Sequence, residues 1–209
     1  MTTLTEDFHA GAFIVSEANG SLSREAVTID TGDLKAGTVL GKITVGTATA
    51  AHVAGGTGNS TFSAVAVGAA AIVGVYQIIF TAATKANIED PNGVLLGVIT
   101  LGAEFTGGGL TFTITAGGTA HVANDRATIT VAAGSGKYVQ FNQDATNGSQ
   151  HAAGILFAPV DATSADQTAV AIVRQAEVAA AALVWPADIE AAEKTAALAE
   201  LAALNIIAR

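Results

Sequence analysis

The sequence predicts a mainly β, α+β protein with one helix near its C-terminus. Apolar and hydroxyl side chains alternate with period two in Leu110-Thr-Phe-Thr-Ile-Thr115 and in Ala127-Thr-Ile-Thr-Val131, the pattern of strands with one buried and one wet face. Twenty-three glycines among 209 residues punctuate short apolar runs at turn spacing. Only the stretch after Leu183-Val-Trp-Pro186 carries convincing helical spacing.

Taken in chain order, composition separates three zones. Residues 1–26 form an extended N-terminal arm, polar except for the strand-prone island Phe13-Ile14-Val15, with Ser16–Gly20 as a turn. Such an arm can add a strand to a partner's sheet edge, where main-chain hydrogen bonds supply affinity. Residues 27–46 together with 137–209 form one domain, with strands expected over 27–30, 38–45, 137–141, 152–160 and 168–173. In its last part Pro186 suits the first helical position, and Asp188 and Glu190 suit the positive end of the helix dipole. Ile189, Ala192, Ala196, Ala199 and Ala203 make a small-residue face for packing on a sheet, while Trp185 and Pro186 anchor the helix in the core. Asn205–Arg209 reads as a final strand.

The zone between, 47–136, is the most uniform. Its only charges are Lys85, Glu89, Asp90, Glu104, Asp125 and Arg126, and it is dense in Gly, Thr, Val and Ala. Tyr76, Ile78 and Phe80 share a parity, and Asp90-Pro-Asn-Gly93 is a turn leading into a strand over 94–101. The expectation is an inserted Ig-like β-sandwich.

Half of the residues are hydrophobic, so the chain can bury a core and is not disordered. Nine Lys+Arg against eighteen Asp+Glu give a net charge of -9, which removes counterion release as a source of affinity and argues against direct nucleic-acid binding. The absence of Cys excludes disulfides and thiolate metal sites. The opening residues carry two acids and no basic cluster before an apolar run, so no secretory signal is expected. Ala64–Phe80 is nearly all apolar but falls short of the ~20 residues a bilayer requires and includes Gln77, so no membrane span is expected.

Chemical motifs are sparse. Gly134-Ser-Gly-Lys137 fails as a phosphate loop because Val131 stands where the first glycine is needed and Tyr138 follows the lysine. Gly55-Gly-Thr-Gly58 reads as a flexible connector. His9, His52, His121 and His151 lack metal-ligand spacing and read as surface or loop residues, and the echo between Ala51-His-Val-Ala54 and Ala120-His-Val-Ala123 reads as a product of alanine-rich composition. No cofactor, metal or catalytic site is expected. An enzyme would require His121, Asp125 and a serine to converge within hydrogen-bond distance.

The flanking zones nevertheless resemble a known family, the lambda D-like head decoration proteins of tailed bacteriophages. The resemblance lies in Phe13-Ile-Val-Ser-Glu-Ala-Asn-Gly20, Ser23-Arg-Glu25, Lys35-Ala-Gly-Thr-Val-Leu-Gly-Lys42, Lys137-Tyr-Val-Gln-Phe141, Ala152-Ala-Gly-Ile-Leu156 and Leu183-Val-Trp-Pro186, in that order. It covers about half of the chain, and the low-charge β zone departs from the shortest members. The resemblance implies a non-enzymatic homotrimer on the outer surface of the expanded virion capsid, stabilising the head by bridging neighbouring major capsid proteins. It carries capsid binding onto Phe13, Ile14 and Val15, and onto Arg24 and Glu25. The alternative is a head-fibre module whose β insert binds a cell surface or carbohydrate.

Overall fold

The computed structural model describes residues 9–209. The opening residues, on which the expectation of no secretory signal rests, and the first part of the expected arm therefore lie largely outside the described residues. The strands are β1 (Ile14–Glu17), β2 (Arg24–Ile29), β3 (Asp33–Leu34), β4 (Val39–Lys42), β5 (Val45–His52), β6 (Thr61–Phe62), β7 (Ala66–Val67), β8 (Gly74–Ala82), β9 (Lys85–Glu89) and β10 (Leu95–Thr100). They continue with β11 (Glu104–Gly107), β12 (Leu110–Thr115), β13 (Arg126–Ala133), β14 (Tyr138–Gln140), β15 (Ala152–Leu156), β16 (Val160–Asp161), β17 (Gln167–Ile172), β18 (Ala176–Val178) and β19 (Ile206–Ala208), with α1 (Ala191–Ala203) before the last. The protein is thus mainly β with a single C-terminal α-helix. The chain divides into two compact units, one taking the chain up to Ile43 together with Gly136–Arg209, the other Thr44–Ser135.

In the first unit β14, β2, β17, β15 and β4 close into a small barrel, and β1, β18 and β19 form a separate three-stranded sheet. Three barrel strands are apolar at successive positions because each feeds two cores. Leu40, Leu156 and Ala171 point to one cluster with Val27, Ile29 and Tyr138, while Val39, Ile155 and Ile172 point to another with Phe13, Val178, Leu201 and Ile206. A strand buried on both faces loses its polar alternation, so these runs read as continuously apolar.

The helix begins later than the sequence predicts. Val184 is held in sheet-like contact, its N–H donating to the Gly37 carbonyl at 2.9 Å and its carbonyl accepting from Val39 at 3.0 Å. Pro186 therefore opens a turn, and α1 starts after Glu190, whose N–H donates to the Glu193 carboxylate at 2.8 Å. The buried face also differs from the expected one. Ala197 and Leu201 face the core, and Ala192, Ala196, Ala199 and Ala203 are exposed. In so alanine-rich a helix the small residues carry no contrast, and the leucines set the rotation.

In the second unit a five-stranded antiparallel sheet, β10-β9-β8-β13-β5, stacks on a smaller sheet in which β12 pairs with β11, β6 and β7. The expected parities hold: Tyr76, Ile78 and Phe80, Leu110, Phe112 and Ile114, and Ala127, Ile129 and Val131 all enter one shared core. Tyr76 is fully buried and satisfied, its hydroxyl donating to the Gly108 carbonyl at 3.1 Å and accepting from the Ile72 N–H at 2.8 Å. At the Asp90–Gly93 turn the Asp90 carboxylate accepts from Asn92 and Val94, each at 2.8 Å. No helix among the described residues is long and apolar enough to cross a membrane; the run from Ala64 to Phe80 supplies β7 and most of β8.

Candidate functional sites

The five residues singled out for capsid binding are divided by the fold. Phe13 is fully buried in the first unit's own core, and its carbonyl accepts from Ala179 at 2.8 Å. Ile14 is half-buried and pairs with Val178, so Ile14 and Val15 belong to a strand of the protein's own sheet, with Phe13 in the turn before it, rather than to a free arm. The physical reason is that β18 offers that strand an edge within the same unit. Within that sheet β1 is itself an edge strand, and Val15 on it is 59% exposed.

Arg24 leans over the Phe157 ring at 4.2 Å and forms an ion pair with Glu17, its Nε donating at 2.9 Å. That bond holds the Glu17 carboxyl below its ordinary value and raises the Arg24 guanidinium. Glu25 pairs with Arg174, whose guanidinium also donates to the Leu22 carbonyl at 3.0 Å. Arg24 and Glu25 line a shallow groove of about 310 Å³ with Ser21, Ala26, Phe157 and Val170. The two anchor residues behave differently from each other: Trp185 packs edge-on against Phe141 at 6.1 Å and lies under Lys194, while Pro186 borders an open cleft.

The second unit holds a cluster that spacing alone does not reveal. Asp125 Oδ2 accepts from His121 Nδ1 at 3.0 Å, and His121 Nε2 lies 2.8 Å from Ser60 Oγ. Ser60, His121 and Asp125 are 5%, 4% and 6% exposed. The glycine loop expected as a flexible connector is tied down by the same carboxylate, which accepts from Thr57 N–H at 3.1 Å and Gly58 N–H at 3.0 Å. Donation from Gly58 above all, then Thr57, Val122 and His121, outweighs desolvation and holds the Asp125 carboxyl well below the usual carboxylate range. An ionised carboxylate only accepts, so His121 Nδ1 is the donor in that bond, and Nε2 faces the Ser60 hydroxyl. Phe80 stacks on the imidazole at 3.5 Å.

His121 is thus buried rather than a loop histidine on the surface. His52 lies 5.3 Å from it, ring centre to ring centre, with Nε2 2.7 Å from the Ser60 carbonyl oxygen. The two histidines of the sequence echo meet without occupying equivalent places: one ends β5, the other sits in the loop before β13. No group of three or more His, Cys, Asp or Glu able to hold a metal ion occurs among the described residues. The aromatic residues that a carbohydrate platform would use are turned inward, with Tyr76, Phe80, Phe105 and Phe112 buried and Phe62 packed beside them.

No curated protein matches this chain. Among solved structures, the crystal structure of Xanthomonas campestris FlgL is similar in two crystal forms. In space group H3 the identity is 20% over 47% of this chain and 33% of that one, with a TM-score of 0.35. In space group C2 it is 22% over 44% and 31%, with a TM-score of 0.34. The chain therefore spans about a third of the length of that protein. The sequence profile described as bacteriophage lambda head decoration protein D, in contrast, matches residues 3–206, and over that nearly complete span the chain belongs to the family of phage head decoration proteins.

Proposed function

We propose that this protein sits as a trimer on the outer surface of the expanded phage head and stabilises it by bridging neighbouring major capsid proteins. The family is a structural one of the virion capsid. The observation that carries the finer reading is the edge strand β1, with Val15 exposed, near the groove that Arg24 and Glu25 line. An extended strand of a capsid protein can pair with the open side of β1 and set apolar side chains against Val15 and Leu22. One such contact is weak. Three on one trimer make later contacts intramolecular, and the avidity exceeds that of a single site by roughly 10²-fold or more. A shell whose acceptor strands lie at the wrong spacing gains none of this, which favours the expanded head over its precursor.

The test is co-sedimentation of the full chain with expanded, undecorated heads and with unexpanded procapsids, beside a Val15→Asp/Glu25→Lys variant whose melting matches the native protein. Saturable binding to expanded heads, lost in the variant, supports the reading. Binding that the variant retains removes the site, and indifference of the native chain to both shells removes the clamp. The trimer is checked separately by sedimentation equilibrium.

A further inference from the structure

We propose that Ser60, His121 and Asp125 form a nucleophilic centre in the second unit that cleaves small acyl esters, an activity separate from the family's structural role. The geometry meets the three requirements of an activated serine. Asp125 fixes the imidazole through Nδ1 at 3.0 Å, the opposite nitrogen faces Ser60 Oγ at 2.8 Å, and the Phe80 ring at 3.5 Å keeps the imidazole plane from turning. The residues come from distant segments, so the arrangement is a product of the fold and not of local sequence.

The same contacts also satisfy buried polar groups and pin a glycine loop. What separates the two roles is reactivity, because a purely structural serine has no reason to attack an electrophile. The strap from Ala54 to Asn59, which contains Gly55, Gly56 and Gly58, is held over the centre by the Thr57 and Gly58 amides on Asp125, so substrate reaches Ser60 when that strap swings aside. A cleft of about 160 Å³ borders this strap, lined in part by Gly55, Gly56, Asp125 and Arg126. Ser60 and His121 do not line that cleft, and with Ser60 only 5% exposed the substrates proposed are the smallest acyl esters, those of acetate.

In the reaction Ser60 Oγ adds to the ester carbonyl carbon as its proton passes to His121 Nε2. The imidazolium formed is stabilised by Asp125. The carbon–oxygen bond to the leaving group then breaks, and His121 returns the proton to it, releasing an alcohol. Water adds to the acyl-serine by the same route, its proton again taken by His121, and the carboxylic acid leaves as Ser60 regains its hydrogen.

The experiment treats the native full chain with a fluorophosphonate probe, maps the adduct by peptide mass, and follows p-nitrophenyl acetate cleavage. The expected result is a single adduct on Ser60, with turnover falling to the uncatalysed background in Ser60→Ala and by roughly 10²-fold or more in Asp125→Asn. Ser60→Ala removes one oxygen and leaves the His121–Asp125 bond in place, so it carries the test even where Asp125→Asn fails to fold. Folded native protein with an unmodified Ser60, or a Ser60→Ala variant that turns over as fast as native, overturns the proposal.

Discussion

Gly58 lies flat against the His121 imidazole, so close that a β-carbon at 58 would stand 2.2 Å from Nδ1. The ring cannot retreat, because Asp125, Ser60 and Phe80 hold its two nitrogens and one face. Gly58→Ala is therefore expected to destabilise the protein by about 1–3 kcal/mol through overpacking. Gly55→Ala, where nothing lies within 4 Å, carries only the strain of a positive φ. Urea unfolding of the two variants checks the difference, and equal midpoints would show that the strap is not seated on the imidazole.

Acid should test the same strap. Asp125 has a folded-state pKa depressed below its unfolded value, so its contribution to stability is fully present above roughly pH 4, the unfolded value, and is lost only as pH falls through the lower folded value. The amides of Thr57 and Gly58 should accordingly keep their protection from hydrogen exchange at pH 3, where ordinary carboxylates are already protonated. Asp125→Ala should speed exchange at both amides by roughly tenfold or more at every pH. Loss of protection in the native protein between pH 5 and 4 would contradict this assignment of the donors.

Where the sequence was legible, the cause was a strong local signal. Tyr76, Ile78 and Phe80 declare a buried strand face because the pleat has period two and the neighbours are polar or smaller. Resemblance over Lys35–Lys42 and Leu183–Pro186 was likewise readable, and the profile match over 3–206 agrees with it. Three things were not legible. The rotation of α1 was hidden by uniform alanine, and its start by the sheet-like hold on Val184. The Ser60–His121–Asp125 cluster joins positions 61 residues apart, a contact that only the stacking of the two sheets produces. The sequence puts forward His121, Asp125 and a serine as the set an enzyme would need, but nothing in it singles out Ser60.

The placement of Phe13 separates a folded strand from a free arm. It is among the largest fully buried side chains, packed with Val178, Leu201 and Ile206. Phe13→Ala should cost about 3–5 kcal/mol, whereas Val15→Ala, two residues on and exposed, should fall within about 0.5 kcal/mol of native. Thermal unfolding followed by circular dichroism reads both. A neutral Phe13→Ala would mean that the segment before Glu17 is not part of the folded core, and capsid binding would then have to be sought on all three residues of the island.

Gly41 shows what the family-like stretch Lys35–Lys42 encodes. In β4 it pairs with Val139 on one side and Ala152 on the other, and the Ser149 backbone crosses directly over it. An added β-carbon would stand 2.2 Å from the Ser149 carbonyl oxygen and 2.7 Å from its α-carbon. Neither neighbour can yield cheaply: the Ser149 carbonyl also accepts from Asn142 at 3.1 Å, and β4 is held by strands on both edges of a closed barrel. Gly41→Ala should therefore do more harm than its size implies, costing at least about 3 kcal/mol and lowering the soluble yield. The control is Gly20→Ala, which has a positive φ but open space around it and should cost no more than about 1–2 kcal/mol. If the two variants melt together, the close approach of Ser149 to β4 is not what reserves position 41 for glycine, and the selection must lie in a contact made only on the assembled head.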